Sequence, residues 1–443
     1  MWFYQAIQET LQISQELADQ ITSYCIDSRL AQTNSLFFAL KGEKVDGHDY
    51  LDQAFRNGAI AAVVEEGVEI KKTPLKLIYV SNVKKTLQKC ASDVIRFWKP
   101  QIIAVTGSLG KTSTKEFLYT LVSEKLSIAA NPGNYNSQLT LPLTILNVKK
   151  QTDYLLLEMG LDKPDEIDTL LKIAPPTYAI LTMIAHVHVG FFNTFECLAN
   201  EKMKIFKDVE KLGLYNLDMP YSSKALKVGA SLKMSYSLQN READFYLKKE
   251  KNQIEVFKNE KLLMKCETPF FDFKSHYNLL AAIAMANVLQ VDTSHILKMI
   301  PRLKHEKNRL QVVHKKNVTF LSDAYNANLD SGENALLSLY ENFSGRKIAV
   351  LSEMVDQGDY SIENHIKLAE VALKYADVLI GFGPMMQHMR PLWKKSRKKW
   401  AFFLSYSNML AYISKLVRKG DTILLKGSRK FALERLINDI APD

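Results

Sequence analysis

The chain has 443 residues, 47% hydrophobic and 24% charged, enough for roughly two to four globular domains and too apolar for a disordered chain. Its net charge of +10 is spread along the sequence and suits anionic ligands, while its four cysteines (Cys25, Cys90, Cys197, Cys266) show neither CxxC nor metal-site spacing, so free thiols in a reducing compartment are expected. The N-terminus MWFYQAIQETLQISQEL lacks the basic start of a signal peptide, and no apolar run reaches the roughly 20 residues of a membrane helix, so a soluble, cytoplasmic protein without membrane insertion is expected.

Residues 1 to 82 read as a small α/β unit, an amphipathic helix followed by two apolar strands and an intervening helix. Ser28 and Arg29 follow one strand, and Gly47-His48-Asp49 sits in a turn before a helix; by themselves these are ordinary turn and cap residues. A helix from Val83 to Trp98 then leads into QIIAVTGSLGKTSTKEFLYTLVSEK, Gln101 to Lys125, an apolar strand, a glycine-rich turn and a second helix. Gly107 and Gly110 let successive backbone N–H groups of Thr106 to Ser113 point inward, and the helix N-terminus behind them adds the positive end of its dipole, which makes a cradle for phosphate. Lys111 is placed to reach the β- and γ-phosphates, and the Thr112 hydroxyl to ligate Mg²⁺. Val105 stands where the standard P-loop has its first glycine, so this is the shorter TGSxGKTS form.

Alternating strands and helices over the next 210 or so residues call for a doubly wound, mostly parallel sheet, in which ligands gather at the carboxyl ends of strands. A strand from Tyr154 to Leu157 ends in Glu158, either a carboxylate facing a nucleotide-bound cation or a simple cap. A strand from Tyr178 to Ile184 runs into His186 and His188, which read as packing or as a zinc pair lacking a third ligand. Between these segments lies a turn-rich loop, Asn131 to Pro142, that contains Asn136. A helix from Phe195 to Asp208 carries Lys202, which periodicity alone reads as a solvated residue. Leu214 to Pro269 looks like antiparallel strands added at the sheet edge, and His276 to Leu289 a helix of small residues. From Asn308 a second doubly wound unit is expected, with strands near Thr319 to Leu321, Lys347 to Leu351, Val378 to Phe382 and Thr422 to Leu425. Its basic and aromatic run, Arg390 to Trp400, is either a solvated helix end or a nucleic-acid patch.

GSLGKTSTK, the GNYN loop, LEMG, the His188 region, EKMKIF, NRLQVV, DAYNANLDS, GRKIAVLSEM and KGSR stand in the order and spacing of the Mur ligases, the ATP-dependent amide-forming enzymes of peptidoglycan precursor synthesis. The resemblance covers essentially the whole chain. The GSxGKTS loop, YNANxDS and KGSR look like the member that adds D-alanyl-D-alanine to UDP-N-acetylmuramoyl-tripeptide. It implies three α/β domains: 1–82 for the UDP substrate, 83–308 with the P-loop for ATP, and a Rossmann-like 309–443 for the amine. It also implies that Lys111 and Thr112 hold phosphates and magnesium, that Glu158 and His188 sit at the magnesium ions, and that Lys202 carries a carbamate that serves as an oxygen ligand. Asn278, Arg309 and Asp323 match contacts to adenine, phosphates and ribose. Ser28, Arg29, Gly47 and His48 match the region of the UDP end, and Tyr325, Asn326, Lys426, Ser428 and Arg429 match positions that line the amine cleft in the family. The implied protein acts as a monomer without nucleic acid.

The chain departs from the family pattern at Ser137-Gln138, at Lys274-Ser275 and at Ser352, where a glycine is usual. An earlier Mur ligase or a folylpolyglutamate-synthase-like ligase shares the P-loop and fold but not YNANxDS. A basic nucleic-acid-dependent ATPase leaves the remaining motifs unexplained.

Overall fold

Apolar strands alternating with amphipathic helices build three sheets in the computed structural model, which describes residues 3–185, 191–192, 194–229, 231–355 and 357–440. The first sheet has four parallel strands in the order Ser23–Cys25, Ser35–Phe38, Ala59–Glu65 and Lys76–Val80. Ser23–Cys25 is the strand that Ser28 and Arg29 follow, whereas Lys76–Val80 escapes sequence reading because it is a half-exposed edge strand with a lysine and a tyrosine facing out.

The central sheet has nine strands in the order Lys261–Glu267, Gln253–Lys258, Phe245–Glu250, Leu232–Ser237, Leu212–Asn216, Tyr178–Leu181, Gln101–Thr106, Tyr154–Glu158 and Ile128–Ala130. The phosphate-loop strand therefore lies inside the sheet, between the strands that end in Glu158 and Leu181. Alternate residues serve opposite faces. Ile102 and Ala104 meet the helices Val83–Trp98, Thr140–Leu146 and Glu166–Ile173, whereas Ile103 and Val105 meet Lys111–Val122 and Phe273–Val288.

The expected run of antiparallel strands over 214–269 is corrected. Leu212–Asn216, Leu232–Ser237 and Phe245–Glu250 extend the sheet in parallel, while the segments QIEVF and LLMKC are antiparallel as expected, Gln253–Lys258 pairing antiparallel with both Phe245–Glu250 and Lys261–Glu267. The final reversal is fixed by Asn259-Glu260, both at positive φ as a two-residue hairpin turn requires. The helix expected to reach Asp208 stops at Met203 and tightens into a 3₁₀ turn over Lys204–Phe206.

The third sheet pairs Gln311–Lys315 antiparallel with Val318–Asp323, then continues in parallel through Thr422–Lys426, Lys347–Ser352, Val378–Phe382 and Lys399–Phe403. Its first and last strands were not expected; both are edges with little apolar alternation. In the basic run, Trp393 is fully buried and donates its indole N–H to the Ala369 carbonyl at 3.4 Å, so it offers no ring for stacking on a nucleobase. Among the described residues no helix is long and apolar enough to cross a membrane.

Candidate functional site

The strand Gln101–Thr106 delivers the chain to the carboxyl edge of the central sheet, where Thr106 is anchored by its hydroxyl to the Met159 carbonyl at 2.7 Å. Gly107 and Gly110 follow at φ +148° and +85°; a Cβ on Gly107 would lie 2.0 Å from Thr182 Oγ1, and one on Gly110 2.2 Å from Asn278 Oδ1. Both turns therefore need glycine. The strand expected to reach Ile184 ends at Leu181 because the next residues leave the sheet to hold this loop. The Thr182 hydroxyl donates to the Leu109 carbonyl at 2.6 Å, and the Ser108 N–H donates to the Met183 carbonyl at 2.6 Å. Thr182 was not singled out from sequence; its signal was a lone hydroxyl closing an apolar strand.

Lys111 opens the helix Lys111–Val122 and folds back over the loop, donating to the Gly107 carbonyl at 2.7 Å. Burial pushes its ammonium below the usual lysine range, opposed by Glu158 and reinforced by Arg309. The Ser108 hydroxyl is buried without a hydrogen-bond partner. Together these groups form a cationic, N–H-rich turn with spare hydrogen-bonding capacity.

Glu158 ends its strand 1% exposed, with Oε1 accepting from Asn136 Nδ2 at 2.6 Å and Oε2 buried without a partner. Its backbone is clipped by Asn131, which accepts from the Glu158 N–H at 2.8 Å and donates to its carbonyl at 3.2 Å. Asn131 is held in turn by Lys115, whose wholly buried ammonium donates to the Asn131 and Gly133 carbonyls at 2.5 and 2.9 Å and pairs with Glu116 at 2.7 Å. Neither Asn131 nor Lys115 was foreseen, although Lys115 lies one helical turn beyond Lys111 on the same face.

An orphaned carboxylate oxygen and the Thr112 hydroxyl, which accepts from Arg309 Nη2 at 3.2 Å, are donors of the kind a hard divalent cation takes. Lys202 is 2% exposed, and burial together with the charge of Lys111 lowers it to about 7. His188 lies outside the described residues. Asp165, Asp168 and Glu201 converge nearby, but Lys204 Nζ already sits 3.1, 2.8 and 2.8 Å from them.

The third sheet meets this edge. Arg309 stacks over Tyr325 with its guanidinium 4.2 Å from the ring centroid. Neighbouring register sets Asp323 beside Lys426 at 2.7 Å, and Lys426 also donates to the Asn326 carbonyl at 2.6 Å. A cavity of about 360 Å³ brings together Ser108, Gly110, Lys111, Thr112, Ser113, Asn136, Glu158, Asn278, Arg309, Asp323, Tyr325, Asn326 and Lys426.

Other candidates stand apart from this cavity. Ser428 is turned back to the 353–355 segment, donating to the Glu353 carbonyl at 2.9 Å, and Arg429 pairs with Glu434 at the surface. Ser28 donates to Gln53 at 2.7 Å, Arg29 pairs with Asp27, and Gly47 abuts the Leu40 backbone. The His48 ring bridges Asp46 at 2.6 Å and the Glu65 N–H at 3.0 Å. These four residues sit in two 3₁₀ turns of the first unit, Ser28–Leu30 and Gly47–Tyr50, and none of them lines the cavity of about 680 Å³ between Ser23–Cys25 and the central edge strand Ile128–Ala130.

Two of the departures have structural accounts. Lys274 crosses to the third unit and donates to the Asp330 carbonyl at 2.5 Å. The Ser352 hydroxyl fills the space beside Gly427, where a Cβ would lie only 2.0 Å from it.

The Mur ligase family catalytic domain matches residues 20–95, the Mur ligase middle domain 105–286 and the Mur ligase glutamate ligase domain 308–429. Over 423 residues the chain is 28% identical to a Rickettsia prowazekii protein named UDP-N-acetylmuramoyl-tripeptide--D-alanyl-D-alanine ligase, with 93% of each chain covered. The Bacillus subtilis protein of the same name is 27% identical over 427 residues, covering 94% of this chain and 92% of its own. Among solved structures, MurF ligase from Thermotoga maritima in complex with ADP is 28% identical with a TM-score of 0.81, covering 97% of this chain and 98% of that one. MurF from Acinetobacter baumannii, 24% identical, has the same fold with a TM-score of 0.88, covering 99% and 98%. With its phosphate loop, its three sheets and three successive domain matches in chain order, this chain belongs to the Mur ligase family.

Proposed function

We propose that this chain is an ATP-dependent amide ligase that joins D-alanyl-D-alanine to the terminal carboxylate of UDP-N-acetylmuramoyl-tripeptide, completing the pentapeptide precursor of peptidoglycan. The observation that carries the reading is a single cavity in which Lys111 and Thr112 of the phosphate loop face Glu158, Arg309, Asn326 and Lys426. A phosphate donor on the loop would then meet groups from the third sheet across a short gap.

A carboxylate and an amine do not condense in water without activation. The tripeptide carboxylate takes the γ-phosphate of ATP to give an acyl phosphate and ADP; the dipeptide amine then attacks the carbonyl, releasing phosphate and a proton. Two anions approach each other in the first step. Lys111 and the loop N–H groups offset that repulsion and stabilise charge on the transferring phosphoryl group. Arg309, tied to Thr112 and braced on Tyr325, adds a second cation on the side of the third sheet. When bound, magnesium would supply further positive charge at the phosphate oxygens, held by Thr112, Glu158, His188 and a carbamate on Lys202. Formation of that carbamate consumes the neutral amine and CO₂ and releases one proton, and the burial of Lys202 beside Lys111 favours the neutral amine.

Residues 1–82 hold the UDP end, with Ser28, Arg29, Gly47 and His48 nearby, 83–308 hold ATP, and 309–443 hold the amine, with Ser428 and Arg429 at its entrance. The enzyme acts as a cytoplasmic monomer. The test is phosphate release from ATP and Mg²⁺ with UDP-N-acetylmuramoyl-tripeptide, with and without D-alanyl-D-alanine, alongside the product mass. Dipeptide-dependent release and a product heavier by one dipeptide unit are expected; release that answers only to a free amino acid or to glutamate would assign the chain to a sister activity.

A further inference from the structure

Among the described residues, four cationic side chains line the cavity over the phosphate loop: Lys111, Lys274, Arg309 and Lys426. Three of them are committed. Lys111 folds over the loop, Arg309 is tied to Thr112 beside it, and Lys426 is neutralised by Asp323 at 2.7 Å. Lys274 differs. It stands in the first turn of the helix Phe273–Val288 and donates to the backbone carbonyl of Asp330 at 2.5 Å, and among the described residues no carboxylate pairs with it. Burial pushes its ammonium down, opposed by Asp330 and Glu333 and reinforced by Lys426. The carbonyl takes one of three N–H donors and leaves the charge unmatched, which is costly in a half-buried wall.

The third unit supplies a second donor. Asn334 lies one turn beyond Asp330 on the helix Leu329–Asn342 and lines the same cavity, its side-chain amide without a hydrogen bond among the described residues. An ammonium and an amide within a helical turn of each other suit a carboxylate. The spacing fits as well. Lys274 and Asn278 share a face of their helix, four residues or about 6 Å apart along its axis, and Asn278 packs against Gly110 of the phosphate loop. An extended dipeptide spans about 7 Å from amine to carboxylate. A dipeptide whose amine attacks a carbonyl activated at the loop therefore brings its carboxylate level with Lys274.

We infer that Lys274, with the Asn334 amide beside it, binds the carboxylate of the incoming dipeptide and makes the enzyme selective for an amine substrate that ends in a free carboxylate. This rests on the proposed reading of the chain as a D-alanyl-D-alanine ligase. Lys274 belongs to one of the chain's departures from the family pattern, so the role does not come with the family motifs.

The experiment runs the ligation assay with D-alanyl-D-alanine and, separately, with its C-terminal amide. Wild type should favour the free acid by about tenfold or more in kcat/KM, because a site that pairs a polar group of its substrate rejects the analogue lacking it. Lys274→Met keeps the aliphatic stem and removes the charge. The ratio should then fall to about one through a higher KM for the free acid, with the KM for ATP unchanged. Lys274→Arg keeps a cation and should retain the preference. A merely structural bridge between the central and third units would instead lower the use of both dipeptides alike and leave their ratio unchanged in Lys274→Met. That result, equal use of acid and amide by wild type, or a change confined to the KM for ATP would overturn the inference and leave the ligase reading intact. Ligation of neither dipeptide by wild type would overturn both.

Discussion

Lys202 and Glu158 show how differently two buried ionisable residues present themselves in a sequence. Glu158 was legible because a carboxylate after four apolar strand residues needs a reason to be there, and the structure leaves one of its oxygens without a partner. Lys202 was not legible from pattern alone, since a lysine on an amphipathic helix is ordinarily solvated; only the family resemblance singled it out. The prediction at this scale concerns the Lys202 carbamate. Lys202→Ala should lose turnover by orders of magnitude and recover part of it in acetate or formate. Burial lowers the amine to about 7, so protonation on the acid side removes the neutral form that takes up CO₂. Wild-type turnover should accordingly decline below about pH 7, and acetate-rescued Lys202→Ala should lack that limb. Absence of rescue by any short carboxylate would leave Lys202 as a simple buried amine.

At the scale of elements, the strands Gln101–Thr106 and Tyr154–Glu158 were read almost to the residue, because each is an apolar run stopped by a polar residue at the carboxyl edge of the sheet. Tyr178–Leu181, by contrast, was drawn three residues too long because apolar residues continue past Thr182. Edge strands were lost because exposure on one side weakens the apolar pattern, as in Lys76–Val80 and Lys399–Phe403. What sequence could not show is how elements are tied together. Lys115 joins the phosphate-loop helix to Asn131, Asn131 clips the backbone of Glu158, and Asn136 from the same loop reaches its carboxylate. The chain of contacts makes the position of Glu158 depend on a lysine that touches no ligand. Lys115→Met preserves the aliphatic stem but leaves two carbonyls and Glu116 unpaired, a loss of about 1–3 kcal/mol for a buried unsatisfied group. Thermal unfolding should register that loss. Turnover at saturating ATP should fall as well, and most steeply at low Mg²⁺, because the Glu158 loop is loosened. A destabilised variant with unchanged kcat and unchanged Mg²⁺ dependence would reduce Lys115 to a structural role.

For the whole molecule, three α/β units were legible, and both linkers looked alike in sequence. In the structure they differ. Asn82 caps the helix Val83–Trp98 through the Lys85 N–H at 2.8 Å, and that helix buries its apolar face in a core that runs from Phe3 and Ile7 into the central unit. Thr10 and Asp93 bond across this junction at 2.8 Å. The third unit is attached more sparingly. Asn308 turns the chain at φ +60°, and the principal bridges are Arg309 to Thr112, Lys274 to the Asp330 carbonyl, and Phe271 edge-on to Phe343 at 5.5 Å. A continuous apolar core resists displacement, whereas a few polar and aromatic contacts can exchange partners, so closure around substrates should pivot at Asn308 and leave the first junction rigid. Solution scattering should show a smaller radius of gyration when a non-hydrolysable ATP analogue and the UDP substrate are added together. Cross-linking cysteines placed at Thr10 and Asp93 should preserve both that contraction and turnover, while cross-linking cysteines at Phe271 and Phe343 should hold the third unit in place and suppress the contraction. If the first cross-link abolishes the contraction and the second does not, the moving joint is at Asn82, and the continuous core between the first two units yields more readily than its burial implies.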